Sequence, residues 1–134
     1  MIDIETIKFA FEDDDDIMLY CDPKYAESTK EVLVNSIYDK LLEFLPYGDC
    51  KFEQVVIDNN IVGFVFICDE ILVSFGINNN YRNKQTLEKF FEYIKLLFKK
   101  DFKSFMWKRN KRAVNWLKKC GMEEEVCNYE DVVQ

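Results

Sequence analysis

The sequence predicts an α+β fold in which helices flank a mixed central sheet. One observation is a run of three segments rich in Val, Ile and Phe, separated by short polar turns, which is typical of an antiparallel meander. A second is the helical spacing of apolar residues before and after that run. A third is the helical segment between the meander and a later short strand, because a right-handed crossover lets two such strands lie parallel. We therefore expect a single domain over residues 1–134.

The N-terminal third predicts a strand followed by a helix. The apolar residues of IDIETIKFAF alternate imperfectly, which favours a first strand there. The acidic run from Asp13 to Asp16 lacks the glycine and the ligand spacing of a calcium loop, so we expect it to cap a helix. Apolar residues at three- and four-residue steps then predict a core-facing helix from Lys24 to Leu45, ended by Pro46.

The remaining elements follow from changes in the apolar period. The three meander strands are predicted at Phe52–Ile57, Ile61–Cys68 and Ile71–Ile77, with Asp and Asn in the first turn because they tolerate left-handed backbone angles. After them we expect a helix over KQTLEKFFEYIKLLFKK, a strand at FKSFMW, a helix over NKRAVNWLKKCG and a last strand in MEEEVCNYEDVV.

Net charge, apolar run length and the His and Cys content exclude several classes of function. The net charge of -7 argues against a general affinity for nucleic acid or anionic membranes, and the basic run over residues 99–119 is expected to be a solvated helix face. No stretch is long and apolar enough for a membrane span, and no signal-peptide pattern precedes the domain, which favours a cytoplasmic location. With no His and five Cys that lack metal-ligand spacing, we expect no metal site and free thiols.

Two motifs resemble the GNAT superfamily of acyl-CoA N-acyltransferases. In that superfamily a strand leads into a [Q/R]-x-x-G-x-[G/A] loop and a helix, whose backbone N–H groups hold the pyrophosphate of coenzyme A. INNNYRNKQTLEKFF fills that place, and NKRAVNWLKKCGM matches the family's later N-x-x-A…G-F helix in register. The resemblance implies that coenzyme A or acetyl-CoA binds near Ile77, Asn78, Arg82, Asn83, Lys84, Gln85, Thr86 and Asn110, in a V-shaped gap between the strands Ile71–Ile77 and Phe102–Trp107.

The sequence departs from the family pattern at the positions that carry chemistry. Gln85 and Leu87 stand where the loop glycines should be, so we expect their side chains to crowd the loop amides. The dissociation constant for acetyl-CoA should then be weaker than roughly 100 μM, or binding should be absent. Leu117 occupies the position of the tyrosine that donates a proton to the departing thiolate, and we expect it to be buried. Glu53 and Glu70 are weak candidates for a general base.

FMWKRNKRAVNWLKKCGM also resembles the short GNAT-like internal virion proteins of tailed phages, whose catalytic motifs are eroded. The predicted function is accordingly a structural or binding protein, phage-encoded and located in the host cytoplasm or the virion. The alternative is an active N-acetyltransferase that transfers an acetyl group to an amine, and a third reading is a regulator of a host protein.

We also expect a protein partner or a homo-oligomer. Only one strand fits after Gly121 where the superfamily has a hairpin, so a sheet edge is left for another chain to cover. The candidate contact surface is residues 123–134 with the exposed face of the helix that starts at Asn110, and the alternative is a frayed, solvated C-terminus without a partner.

Overall fold

A computed structural model describes residues 1–25, 27–98, 101–107, 109–123 and 132–133. Short 3₁₀ turns at Ile17–Tyr20, Pro23–Tyr25, Leu45–Tyr47 and Asn79–Tyr81 join the longer elements. Those elements are, in chain order, α1 Ile4–Ala10, α2 Lys30–Phe44, β1 Cys50–Ile57, β2 Asn60–Cys68, β3 Ile71–Ile77, α3 Lys84–Leu97, β4 Lys103–Ser104, β5 Met106–Trp107, α4 Lys111–Lys119 and β6 Val132–Val133.

The N-terminal segment is a helix, so the predicted first strand is wrong. Asp3 caps α1 by accepting hydrogen bonds from the backbone N–H of Glu5 and the hydroxyl of Thr6. Ile7, Ala10 and Phe11 are buried, and their spacing places them on one face of a helix. The cap and this three- and four-residue spacing outweigh the imperfect alternation that favoured a strand.

The helix that was predicted from Lys24 to Leu45 begins later than expected. Lys24 and Tyr25 lie in a 3₁₀ turn, and α2 starts at Lys30, where Thr29 accepts a hydrogen bond from the backbone N–H of Val32 at 3.4 Å. The acidic run before it does not cap a helix through a side chain, because Asp16 precedes only a short 3₁₀ turn and makes no capping hydrogen bond there.

The meander is confirmed, and β3 has the predicted bounds. Strands β1, β2 and β3 pair antiparallel in sequence order, and β4 adds to β3 in parallel through the α3 crossover. Asp58 and Asn59 form the β1–β2 turn with φ of 51° and 68°, the left-handed angles that Asp and Asn tolerate. The sheet is therefore mixed, as predicted.

Apolar side chains cover both faces of this sheet. On one face α1 and α2 pack against Phe64 and Phe66 of β2. On the other face α3 and α4 pack against β-strand residues that include Val65 and Phe75. We refer to these as the α1–α2 face and the α3–α4 face.

Strands β3 and β4 separate soon after they meet. Their ladder consists of Ile71 with Lys103 and Leu72 with Ser104. The next strand, β5, pairs antiparallel with β6 in a separate two-stranded sheet. Within the described parts of the chain, the second half of β3 thus lacks a neighbour on this side, which confirms the predicted V-shaped gap. The predicted strand FKSFMW is two short strands, and most of the last predicted strand, residues 124–131, lies outside the described residues.

Candidate functional site

A cleft of about 230 Å³ opens where β3 and β4 separate. Val73, Ser74 and Phe75 of β3 form one wall, and Phe105 and Asn110 lie across the gap. The third wall comes from Tyr20 and from the α2 side chains between Ser36 and Glu43. Because the cleft lies at the gap itself, a molecule in it would contact the unpaired part of β3.

Tyr20 lines this cleft. Its ring centre is 5.1 Å from that of Phe11 and 6.4 Å from that of Phe75, and Phe75 in turn is 5.2 Å from Trp116. These rings connect the core of the α1–α2 face with that of the α3–α4 face. The Arg112 guanidinium lies 6.0 Å from the Tyr20 ring centre. Sequence reasoning missed Tyr20, because it is 55 positions away from the strand residue that it contacts.

Two asparagines shape the loop between β3 and α3. Asn78 is buried, donates from Nδ2 to the carbonyl of Phe9 at 2.7 Å and accepts from the backbone N–H of Asn80. Asn83 caps α3 by accepting from the backbone N–H of Thr86 at 2.9 Å. Both were predicted as coenzyme-binding residues, and the described contacts of both side chains are internal to the fold.

The start of α3 offers two backbone donors. Lys84 and Gln85 are the first two residues of the helix, so their N–H groups precede the intrahelical ladder. Within the part of the chain that is described, neither N–H donates to a cap or to a neighbouring loop. With the positive end of a 14-residue helix dipole behind them, these donors suit an anion.

Arg82, the predicted phosphate ligand, makes internal contacts. Its Nε donates to the carbonyl of Ile77 at 2.9 Å, and its Nη1 donates to Asn79 Oδ1 at 3.3 Å. Its Nη2 forms an ion pair with Asp14 Oδ2 at 2.6 Å. Arg112 Nη2 lies 3.2 Å from the same carboxylate oxygen. The side chain that resembles the family's cationic ligand is therefore tied to a buried acid.

Asp14 is the buried member of the acidic run. Its side chain is only 3% exposed, and its Oδ1 accepts from the backbone N–H of Asp16 at 2.9 Å. Burial alone would raise the pKa of the Asp14 carboxyl. The hydrogen bonds from Arg82 and Asp16 and the charges of Arg82 and Arg112 outweigh burial, so the pKa lies below the usual 3.8. Asp14 is thus ionised near neutral pH and joins the loop after α1 to the β3–α3 loop through Arg82 and to α4 through Arg112.

The two residues that replace loop glycines behave differently. The Leu87 side chain packs against the core of the α3–α4 face, so the expectation that it crowds the loop amides is wrong. Four-residue spacing brings Leu87 onto the same side of the helix as Phe91, which explains its inward direction. Gln85 is exposed beside the first helical amides. The steric objection to an anion in this loop therefore rests on Gln85 alone.

The prediction that Leu117 is buried is confirmed. It is 5% exposed and packs in the core of the α3–α4 face with Ala113. Asn110 caps α4 by accepting from the backbone N–H of Ala113 at 3.3 Å, and it also lines the cleft.

The two predicted base candidates lie away from the cleft. Glu53 is on β1 opposite Val65, on the face that carries α3, and its charge contributes to the raised pKa of Tyr93, after burial. Glu70 is exposed in the β2–β3 turn. The carboxylates that do line the cleft belong to Asp22, Asp39 and Glu43.

Within the described residues, no helix is long and apolar enough to cross a membrane. The same residues contain no group of three or more His, Cys, Asp or Glu side chains placed to hold a metal ion.

Comparison with known proteins identifies the fold. No family model and no curated protein sequence matches this chain. Among solved structures, the chain is similar to the PaiA N-acetyltransferase of Thermoplasma acidophilum in complex with coenzyme A, with a TM-score of 0.60 at 17% identity. The similarity covers 98% of this chain and 90% of that chain. The protein therefore has the α+β fold of the GNAT N-acetyltransferases.

Proposed function

We propose that this protein binds an acyl-coenzyme A thioester in the gap between β3 and β4 and transfers the acyl group to an amine in the adjoining cleft. The observation that carries the proposal is the two-pair β3–β4 ladder, which opens the gap beside a cleft that contains a tyrosine. The similar PaiA structure is an N-acetyltransferase with coenzyme A, which supports the same chemistry.

The described residues fit a phosphate group at the start of α3. The N–H groups of Lys84 and Gln85 would hold it, because they are unpaired donors at the positive end of a helix. Arg82 would contribute little, since its nitrogens already contact Ile77, Asn79 and Asp14. We therefore expect a dissociation constant weaker than roughly 100 μM, which corresponds to a binding free energy smaller than about 5.5 kcal/mol.

We assign proton donation to Tyr20, which with Tyr25 is one of the two tyrosines that line the cleft. Coenzyme A, when bound, supplies the acyl group as an activated thioester. The Tyr20 hydroxyl would donate its proton to the departing sulfur, a role that the buried Leu117 cannot perform. Asn110 on the far side of the gap and the carboxylates of Asp22 and Asp39 complete a cleft with polar contacts for an amine.

Two measurements test this function. Calorimetry with acetyl-CoA measures binding, and thiol release with a panel of small diamines, amino sugars and peptides measures transfer. Tyr20→Phe should lower kcat by about 100-fold or more without changing acetyl-CoA affinity, because the ring stays and only the proton is lost. Tyr47→Phe is the matched control, since Tyr47 is 83% exposed and does not line the cleft. No thiol release above background with any amine would refute the transferase proposal.

A second candidate function is a structural or binding protein on this fold, virion-associated if the chain is phage-encoded. Two observations favour it: a leucine buried at the position of the usual acid, and an arginine whose nitrogens are engaged within the fold. This candidate requires a protein partner or a homo-oligomer. It predicts no calorimetric signal up to about 1 mM acetyl-CoA, a concentration that would detect a binding free energy of about 4.1 kcal/mol.

A further inference from the structure

The open end of the β1–β2 hairpin brings two thiols together. Cys50 and Cys68 are partners in the first pair of that ladder, and their Sγ atoms are 2.7 Å apart. By comparison, the buried Cys21 thiol makes longer hydrogen bonds of 3.6 Å, with the carbonyl of Ile17 and the hydroxyl of Ser36. We propose that Cys50 and Cys68 form a reversible intramolecular disulfide, a modification site separate from the cleft.

The backbone already satisfies the geometry of such a bond. Directly opposed residues in an antiparallel pair have Cα atoms about 4.5–5.5 Å apart, within the roughly 4.4–6.8 Å that disulfides span. Register partners also project to the same face of a sheet. The Cys50 thiol lies at the end of α2, where its Sγ donates to the carbonyl of Phe44 at 3.4 Å. The register and the Sγ separation therefore place the two cysteines within reach of such a bond.

The chain around the pair is held in place. The backbone N–H of Asp49 donates to Asp69 Oδ1 at 3.1 Å, and the N–H of Asp69 donates to the carbonyl of Asp49 at 3.0 Å. Gly48 passes so close that a Cβ there would lie 2.8 Å from Cys68 Sγ. These contacts fix the two thiols against each other, which favours an intramolecular bond over reaction with outside thiols.

The oxidant that we assign is a low-molecular-weight disulfide of the glutathione class. Cys50 is partly exposed and Cys68 is buried, so the Cys50 thiolate attacks the disulfide and forms a mixed disulfide, releasing one small thiolate. The Cys68 thiolate then attacks Cys50 Sγ and releases the second. The two protons lost by the cysteines pass to the two released thiolates. One small disulfide is thus reduced to two thiols as one protein disulfide forms.

The reduced pair is a slow nucleophile at neutral pH. Burial raises the pKa of Cys50 to about 12, and the hydrogen bond with Cys68 and the charges of Cys68, Asp69 and Asp49 act in the same direction. Only the thiolate reacts, so the rate of oxidation should rise about tenfold per pH unit between pH 8 and pH 10.

Peptide mapping of the native protein tests the proposal. The protein is incubated with oxidised glutathione, alkylated and digested with trypsin, which cuts between the two cysteines after Lys51. We expect residues 41–51 and 52–82 joined by a disulfide, and titratable thiols in the unfolded chain falling from five to three. The oxidised protein should also melt roughly 5–10 °C higher than the reduced protein, because the bond constrains the unfolded chain.

Variants separate this pair from the other cysteines. Cys50→Ser and Cys68→Ser should each abolish the two-thiol loss, while Cys120→Ser at the C-cap of α4 should keep it. If either hairpin variant fails to fold, the peptide map of the unmodified chain decides alone. A glutathione adduct that stays on Cys50, a bond to another cysteine, or five thiols after oxidation at pH 10 would each overturn the proposal.

Discussion

At the scale of single residues, the Asp14 carboxylate joins three parts of the chain that are far apart in sequence. It pairs with Arg82 after β3 and with Arg112 on α4, while its own loop follows α1. The side chains of Arg82 and Arg112 are 16% and 39% exposed, so solvent screens each pair more than it would a fully buried one. Each Asp14–arginine pair therefore contributes less to stability than a fully buried ion pair would.

Asp14→Asn should lower the free energy of unfolding by about 1–3 kcal/mol, because the amide loses the charge while both arginines remain. Urea unfolding of the reduced protein measures this loss. Asp15→Asn is the matched control, since Asp15 is exposed in the same acidic run. Equal midpoints for the two variants would show that the buried pairs contribute nothing.

The same carboxylate gives the fold an acid-sensitive component. The pKa of the Asp14 carboxyl is 3.8 in the unfolded chain and lower in the folded protein. The stabilisation that the ionised carboxylate provides is therefore fully present above pH 3.8. It is lost as the pH falls below 3.8 and through the folded-state pKa. Stability measured between pH 5 and pH 2 should fall more steeply for the natural chain than for Asp14→Asn. Parallel curves would contradict this assignment.

Leu117 is part of the core at the position where the GNAT resemblance implies a proton-donating tyrosine. Leu117→Ala should cost about 2–5 kcal/mol, the usual range for a buried leucine. Asn115→Ala on the exposed side of α4 is the control and should change stability by less than about 0.5 kcal/mol. A comparably small loss at Leu117, measured by chemical denaturation, would place its side chain at the cleft instead of in the core.

At the scale of elements, local pattern predicted most of the fold. The bounds of β3 and the cap of α4 at Asn110 follow from residues adjacent in sequence, and such signals survive without tertiary information. The error at α1 arose because the strand prediction counted Ile4 and Phe9 as core positions, although both are only partly buried. The Asp3 cap was the better signal. Asp14 and Tyr20 were not predictable, because the partners that define their roles lie more than 50 residues away.

The start of α3 supports a graded test of the anion site. Gln85→Gly removes an exposed side chain beside the first helical amides and should tighten acetyl-CoA binding by roughly two- to tenfold if that side chain obstructs the approach. Leu87→Gly is the contrast, because it removes core contacts and should lower stability without improving binding. Unchanged affinity in Gln85→Gly, measured by calorimetry, would show that the Gln85 side chain is not the obstacle and that another feature limits binding.

At the scale of the whole molecule, the two hydrophobic cores and the cleft meet at the gap between β3 and β4. The ring contacts of Tyr20 and Phe75 bridge the two faces of the sheet at the place where a strand neighbour is missing. The family resemblance predicted this gap from element order. It did not predict what lines the gap, since much of the lining comes from two 3₁₀ turns and the residues between them, from α2 and from the N-cap of α4.

The β5–β6 pair determines whether one edge of β5 is free to pair with another copy of the chain. β6 covers one edge of β5 within the same chain, through Met106 with Val133 and Trp107 with Val132. A chain that ends at Asp131 lacks β6 and exposes that edge, which is a template for pairing with another copy. We expect this truncation to increase the mass measured by light scattering as protein concentration rises. The sequence-based hypothesis of a C-terminal contact surface predicts the reverse, a dimer of the full chain that dissociates on truncation. An unchanged mass with an unchanged melting temperature would refute both, because neither an exposed edge nor a lost interface would then have any effect.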